Sequence, residues 1–568
     1  MNETQDTYWS NWLEMVNKTL GTDADGLDHI TQISEDGLSL PPLYPHGAVT
    51  PRAVVSPLFQ GWQMAQHAAD STETTALNRS ILDELEGGAS MVMIPRMAQM
   101  GLAAHTGYDL PRLLDGVIMS ACGFGFYHGQ DSMALAGAWA DVAAGMDDKG
   151  ASLHLHLHLG ADPISDLLVG MATEAKAETD GAALANWQKE HLSALPGCCV
   201  FAASGDTMHR LGLTEAQELA FGLSTLLWQW RCLDAAGCSP DQASARLVMR
   251  IAVSAELYPA LAKTRAARYV LLRLASAMDI PTNHLPVLHA LTSDRMMTRI
   301  EPMNNILRHT TASLGAALGG SDLITTLPHD WLTGSTGMSR RLARNIQLIM
   351  RHEARLDQVA DPAYGADTLE AMSQELAAKT WQHFQDIEAS GGALAAAASG
   401  QVMAWAKPAV IKRQQQMDNR DAPMLGVNHH PQAAADQLAP VMVEAGMPRG
   451  GDCRVAAPWE DLRQLAYDRG LRCLVLDDEE GNSKARAAWR DEARMLGFEL
   501  VEMQLIDADE LAGHINSAKP HLLILGATWH HWAGQKDQNT HGAVIAALET
   551  TGDKRRAVFE QVIKGLGS

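Results

Sequence analysis

Between about residue 50 and residue 330, short apolar runs alternate with longer stretches of helical periodicity, and this alternation limits the possible folds more than any other feature of the chain. Runs of strand type occur at Met91–Ile94, 152–159, 200–203, 285–290 and 323–327. Apolar residues recur every three or four positions at 73–86, 110–122, 165–176, 214–235, 239–253 and 260–277, which read as helices. Strands separated by helix-length segments pair in parallel through crossovers, not as hairpins. The span and the number of repeats therefore predict an α/β fold of the (β/α)8 TIM-barrel type.

The flanks divide the rest of the chain. Residues 1–40 read as an arm, in which Trp9, Trp12, Leu13, Val16 and Leu20 share one face of a helix. That face can lie on the chain's own body or on a partner subunit, and periodicity does not separate the two. The barrel is expected over 41–335. Residues 336–425 form a helical extension and linker, with helices at 340–355 and 368–388. The second helix is stopped by Ser390-Gly391-Gly392. Over 426–568 a second alternation places strands at 471–476, 498–505 and 520–526, and helices at 484–496 and 507–517. This predicts a small doubly wound α/β domain.

Charge and cysteine usage exclude several classes. The 44 Lys and Arg residues against 67 Asp and Glu give a formal net charge of −23, which repels nucleic acid and acidic membrane surfaces. No uninterrupted apolar stretch reaches about 18 residues, so no membrane span is expected. The polar start MNETQDTYWSNW lacks the basic and apolar regions of a secretion signal. Cys122, Cys198, Cys199, Cys232, Cys238, Cys453 and Cys473 form no C-x-x-C pair, and reduced thiols in a cytoplasmic protein are expected. Walker A, G-x-G-x-x-G, G-x-S-x-G and H-E-x-x-H signatures are absent from the sequence.

Longer blocks say more. Arg344-Asn345-Ile346-Gln347-Leu348-Ile349-Met350, followed by Asp361-Pro362-Ala363-Tyr364-Gly365, resembles the R-N-x-Q-L-I-L … D-P-x-x-G-S-Y-Y-V-E block of methylmalonyl-CoA mutases. Glu301-Pro302-Met303-Asn304-Asn305-Ile306-Leu307-Arg308 and Ala317-Leu318-Gly319-Gly320 resemble that family's D-P-Y-N-N-V-V-R … A-L-G-G. Trp62-Gln63-Met64-Ala65-Gln66-His67 resembles its W-T-I-R-Q-Y. The resemblance runs from about 35 to 405. It implies a barrel through which an acyl-CoA threads, and a flavodoxin-like domain that holds adenosylcobalamin against the barrel's C-terminal face. It also implies a radical interconversion of methylmalonyl-CoA and succinyl-CoA. Some members of the family pair a catalytic large subunit with a similar, cofactor-free small subunit.

The family's catalytic positions are degenerate here. The tyrosine of W-T-I-R-Q-Y is His67 and the arginine is Ala65. The histidine of G-Y-H-M-Q-E-A-G is Thr207 in Gly205-Asp206-Thr207-Met208-His209-Arg210-Leu211-Gly212. In the stretch that matches T-H-C-Q-T-S-G, His289 is kept while the glutamine is Leu291. The cobalt-binding D-x-H-x-x-G occurs nowhere in the chain; the nearest stretch, Leu465-Ala466-Tyr467-Asp468-Arg469-Gly470, has tyrosine at the ligand position. The resemblance is thus to the small subunit of a heterodimeric mutase, with no catalytic, cofactor-binding or metal residues of its own. The large subunit would bind the adenosylcobalamin and the acyl-CoA. A stand-alone, non-catalytic acyl-CoA- or partner-binding paralogue acting in assembly of the mutase is the alternative. His154, His156 and His158 lie on one strand face about 6–7 Å apart, which fits either a metal site completed by a residue from elsewhere or bulky filling of the barrel.

Overall fold

The computed structural model describes residues 3–21, 26–45, 47, 49–53, 61–69, 71, 73–94, 109–127, 132–145, 156–191, 193–430, 438–439, 454–468, 472–477, 493, 496, 498–504, 522–525 and 544–547. Contacts divide them into two compact units. One holds the described residues of 1–295 and 306–409, and the other those of 296–305, 410–441 and 454–568.

The first unit is built on eight parallel strands: β1 (Gln63–His67), β2 (Met91–Ile94), β3 (Gly123–Phe126), β4 (His156–Ala161), β5 (Cys198–Ser204), β6 (Leu247–Val253), β7 (Val287–Thr292) and β8 (Leu323–Thr325). Each pairs with the next, and β8 closes on β1 with Leu323 opposite Gln63 and Thr325 opposite Ala65. The described helices of this unit include α1 (Glu3–Leu20), α2 (Thr74–Glu86), α3 (Ser132–Ala144), α4 (Glu174–Glu190), α5 (Gly205–Arg210), α6 (Glu215–Ala235) and α7 (Leu257–Ala277). After α8 (Asn304–Leu318), which starts in the second unit, come α9 (Gly337–Leu348) and α10 (Asp367–Ala389). The (β/α)8 expectation is met.

Several local expectations are corrected. The run 239–253 is not one helix: a capped turn, Pro240–Ser244, precedes β6, which is buried along its whole length. A continuous apolar run satisfies both periods, and a strand covered on both faces has no alternation to reveal it. Strands β1 and β3 were not anticipated, because Gln63, Gln66 and His67 interrupt one and glycine alternates with phenylalanine in the other. The helix expected over 110–122 stops at Leu113, ahead of Gly116 at φ +77°. That over 165–176 ends as Pro163–Leu168 ahead of Gly170 at φ +76°, and a new helix starts at Glu174. Both glycines hold the left-handed backbone that ends a helix. The helix over 340–355 is regular only to Leu348 and then widens into a π-helical turn, Ile349–Glu353.

Buried ion pairs tie the outer layer together. Arg265 on α7 binds Glu370 on α10 at 2.8 Å and also pairs with Asp361, while Arg268 meets Asp322 at 2.8 Å. Basic residues on an otherwise apolar helix need such partners to be buried at all. On α1, Trp9 and Trp12 stack at 5.3 Å and both are half-buried, with Tyr8 and Met15 exposed beside them. A short hairpin, Gln32–Ile33 with Ser39–Leu40, brings Asp36 to the start of α6, where it accepts from the Ala216 N–H and the Thr214 hydroxyl.

In the second unit, α11 (Gln401–Asp418) ends and α12 (Ala457–Asp468) precedes four parallel strands: β9 (Arg472–Asp477), β10 (Glu499–Gln504), β11 (Leu522–Leu525) and β12 (Val544–Ala547). Their order is β10-β9-β11-β12. The helices expected at 484–496 and 507–517 lie largely or wholly outside the described residues. Glu460 on α12 is buried and held by Arg299 at 2.6 Å and Arg454 at 3.0 Å. No helix among the described residues is long and apolar enough to cross a membrane.

Candidate functional site in the barrel interior

Residues pointing into a parallel barrel alternate along each strand. Ala65, Met91, Met93 and Leu323 come from three strands and pack as one cluster, with Tyr127 and Val287 against it, which marks the inward face. Two residues beyond Ala65 on β1, His67 is fully buried. Its ring meets Trp331 edge-on, with centroids 4.2 Å apart, and lies 6.0 Å from Tyr127. Gly123 and Gly125 face the two methionines: a Cβ at 125 would stand 2.4 Å from the Met93 sulfur, and one at 123 would stand 2.9 Å from the Met91 methyl. The glycines of β3 thus leave room for the methionine side chains on the barrel's inward face.

His156 and His158 share the inward face of β4. His156 is exposed and His158 is buried. Burial, reinforced by Arg250 and His156, pushes the His158 ring down to about 3, so it is neutral. His154 lies outside the described residues. His289 sits mid-strand in β7, fully buried, with Nε2 2.8 Å from the Thr325 hydroxyl. Burial and the nearby Arg250 and His158 hold it well below the usual histidine range.

Thr207 lies buried on α5, directly after β5. The same helix carries a residue that matters more to the structure. His209 places Nε2 2.7 Å from the Ser293 hydroxyl and Nδ1 2.9 Å from the Glu218 carboxylate. The Arg295 N–H donates to Ser293 Oγ at 3.1 Å, which leaves the hydroxyl free to donate to Nε2 and puts the ring proton on Nδ1, toward Glu218. Glu218 also accepts from the Ala252 N–H at 2.9 Å and from Lys263 Nζ. Burial pushes its carboxyl up, against the pull of Lys263.

Serine, histidine and glutamate in this order resemble a nucleophile relay. Ser293, His209 and Glu218 are 2%, 1% and 0% exposed, however, so no substrate reaches them. His209, Glu215 and Glu218 also bring ligand atoms within 4.8 Å of one another, but the Lys263 ammonium already holds both carboxylates and occupies the place of a cation. The cluster is a clamp joining α5, α6, α7 and the loop after β7. Arg210 and Asp294, paired at 2.6 Å, extend it toward the surface.

This network escaped the sequence reading. Lys263, Arg265 and Arg268 within an apolar helix, and Arg250 within the apolar run of β6, were the available signals, since each is a charge that burial obliges to find partners.

Of the stretch compared with the cobalt-binding motif, Leu465–Asp468 lie on α12, where Tyr467 is exposed and Asp468 is the last helical residue, and Arg469 and Gly470 lie outside the described residues. The stretch precedes β9 in the chain and offers no imidazole. The residues present do not fit ligation of cobalamin by this stretch.

Residues 89–447 match the family model described as methylmalonyl-CoA mutase. Among curated proteins, the methylmalonyl-CoA mutase small subunit of Streptomyces virginiae is 30% identical over 478 residues, covering 80% of this chain and 75% of that protein. A probable methylmalonyl-CoA mutase small subunit of Mycobacterium bovis is 30% identical over 414 residues, 72% of this chain and 64% of its own length. The small subunit of Propionibacterium freudenreichii subsp. shermanii is 26% identical over 434 residues, 73% of this chain and 66% of its own. With an eight-stranded parallel barrel, and with matched segments that span most of its described residues, the chain belongs to the methylmalonyl-CoA mutase family.

Proposed function

We propose that this chain is the small, non-catalytic subunit of a heterodimeric methylmalonyl-CoA mutase. It would support a large subunit that carries the adenosylcobalamin and the acyl-CoA. The observation that carries this reading is the packing of the barrel's inward face: Met91 and Met93 cluster with Ala65 and Leu323 beside Gly123 and Gly125, and His67 is buried against Trp331, side chains that would stand in the way of an acyl-CoA threading the barrel. The lack of any D-x-H-x-x-G and the names of the similar small subunits support it. The three degenerate positions agree with it too. His67 is fixed by an aromatic contact, Thr207 is buried in a short helix, and His289 is spent on Thr325.

The chain's contribution would be binding energy and shape. The half-buried Trp9–Trp12 stack on α1 offers an aromatic anchor, the residue type that most often dominates interfaces. An obligate interface of this kind buries more than about 2,000 Å².

Co-purification with a candidate large subunit, followed by a mutase assay of each chain alone and mixed, tests the reading. Turnover is expected for the pair and none for this chain alone. Turnover by this chain alone refutes it. Failure to associate with any large subunit, together with a lack of turnover, would favour the stand-alone paralogue.

A further inference from the structure

We propose that the hairpin formed by Gln32–Ile33 and Ser39–Leu40 is a pH-sensitive latch: it sits firmly on the first turn of α6 while the Asp36 carboxyl is neutral, and it loosens when that carboxyl ionises. This goes beyond the subunit reading and does not depend on it. None of residues 31–40 is buried, and Ile33 is 61% exposed, so apolar contact does little to hold the hairpin down. A two-stranded hairpin is marginal without such support. Its tip is well ordered by its own bonds. Gly37, at φ +75°, donates its N–H to the Ser34 carbonyl at 3.0 Å, and the Leu38 N–H donates to Ser34 Oγ at 3.0 Å. That turn presents Asp36 to α6. Asp36 Oδ1 accepts from both the Thr214 hydroxyl and the Ala216 N–H, the latter at 3.2 Å. Ala216 stands in the first turn of α6, where an amide has no acceptor within the helix. Asp36 therefore anchors the hairpin and completes the start of the helix with one atom.

The seat gathers negative charge. Glu35 precedes Asp36 on the tip, Glu215 precedes Ala216 on α6, and both act on Asp36. Glu256, immediately before α7, interacts electrostatically with Glu35 and Glu215. The cations of this corner are engaged by the barrel itself. Lys263 on α7 holds Glu215 and Glu218, and Arg295, after β7, lies 3.7 Å from Glu215 and donates to the His209 and Leu213 carbonyls. Burial pushes the Asp36 carboxyl up to about 6; Glu215 and Glu35 add to the push, and the Thr214 and Ala216 hydrogen bonds resist it. A released hairpin returns the carboxyl to the ordinary 3.8. The seated form thus binds a proton that the released form gives up, so seating strengthens as the pH falls through 6 and is weakest above it. Neutralisation leaves the contacts in place, because a proton on Oδ2 keeps Oδ1 as the acceptor for Thr214 and Ala216.

Hydrogen exchange of the full chain at the Ala216 amide, read by mass spectrometry with single-residue fragmentation and corrected for the intrinsic pH dependence of exchange, measures the ratio of seated to released hairpin. From pH 7.5 to pH 5 that ratio should rise about ten-fold in the wild type, the change that carboxyl values of about 6 and 3.8 require. The amides of β6 report global opening and should not share the rise. Asp36→Asn keeps Oδ1 and removes the charge, so Ala216 should be protected at both pH values with the ten-fold rise gone. Asp36→Ala removes the acceptor and should lower the protection at both. The latch is overturned if the wild-type ratio is constant or falls between pH 7.5 and pH 5, if the β6 amides show the same rise, if Asp36→Asn retains the rise, or if Asp36→Ala leaves Ala216 as protected as in the wild type.

Discussion

Replacing Glu218 with glutamine probes the clamp at the barrel's C-terminal side. The substitution keeps the side chain's size and its acceptor for the Ala252 N–H, and removes only the charge. Lys263, 1% exposed, then retains Glu215 alone, and His209 loses its anionic partner. Breaking a buried pair by removing one partner costs about 3–5 kcal/mol, and the surviving Glu215 contact brings the expectation for Glu218→Gln to about 2–3 kcal/mol. Lys263→Met strands Glu218 instead. Lys263 is the cation that holds the Glu218 carboxyl down against burial, so in Lys263→Met the folded carboxyl is raised further and keeps its proton to higher pH than in the wild type, and the penalty of the variant grows as the pH rises. In the double variant neither charge is left alone, and it should recover about 1–2 kcal/mol relative to the sum of the single changes. Urea unfolding of the four proteins at pH 6 and pH 9 measures all of this. Strict additivity, or single variants that each cost under about 1 kcal/mol, would refute the view of this cluster as one coupled unit.

Other outcomes follow from the same geometry. His309 is fully buried with both ring nitrogens unpartnered, and burial, with Arg308 and His329, pushes it down to about 3. The folded state therefore refuses a proton that the unfolded chain takes up below 6.5. Stability is complete above that value and falls by about 1.36 kcal/mol per pH unit below it; His309→Leu should abolish about 2 kcal/mol of the loss between pH 7 and pH 5, read as the difference between two unfolding curves. Gly160→Ala drives a Cβ onto the Phe126 carbonyl at a left-handed φ and should cost at least about 2 kcal/mol, while Gly237→Ala, also left-handed but in open space, should cost about 1 kcal/mol. Deleting residues 1–20 should leave the circular dichroism of the isolated chain intact and weaken its co-elution with the large subunit; unfolding of the truncated chain would place Trp9 and Trp12 in its own core. Titration with adenosylcobalamin should show no tight equivalent on this chain alone, and a stoichiometric complex with histidine ligation would contradict that expectation.

Much of the barrel was readable because its units repeat. Met91–Ile94 was found to the residue, and helices α6, α7 and α10 lie within three residues of their expected bounds, since a long amphipathic period is hard to mistake. What stayed hidden is local and has physical causes. Strand β6 looks helical because it is apolar on both faces, and β1 and β3 look like loops because their inward positions carry glutamine, histidine and glycine. Glycine at 123 and 125 has no meaning until the opposing methionines are seen. In the site, the degenerate positions were legible one residue at a time, whereas the His209 clamp was not. Its members are separated by up to 84 positions, and only the closing of the barrel brings Ser293 to His209.

That closure bears on how the proposed non-catalytic subunit would keep the fold without the chemistry. Strands that line a ligand channel are paid for by the ligand only while it is bound; an empty channel leaves apolar surface and unmet polar groups facing water. On that reading, packing Met91 and Met93 onto the inward face would cover apolar surface that a ligand otherwise covers, and each methionine fits because the strand beside it offers glycine. On the same reading the rim faces the opposite problem, because loops that grip no substrate would need another reason to stay in place. The Ser293–His209–Glu218–Lys263 chain supplies it, with ionised and hydrogen-bonded groups whose partners all belong to this chain. Such a rim would hold its shape without ligand. In the proposed heterodimer this would let the chain present one fixed surface to its partner throughout turnover. Hydrogen exchange of the Gly205–Arg210 helix tests the step directly, since its protection should be the same in the isolated chain, in the assembled enzyme and in the presence of acyl-CoA. Protection that appears only with acyl-CoA would show that the rim still answers to substrate.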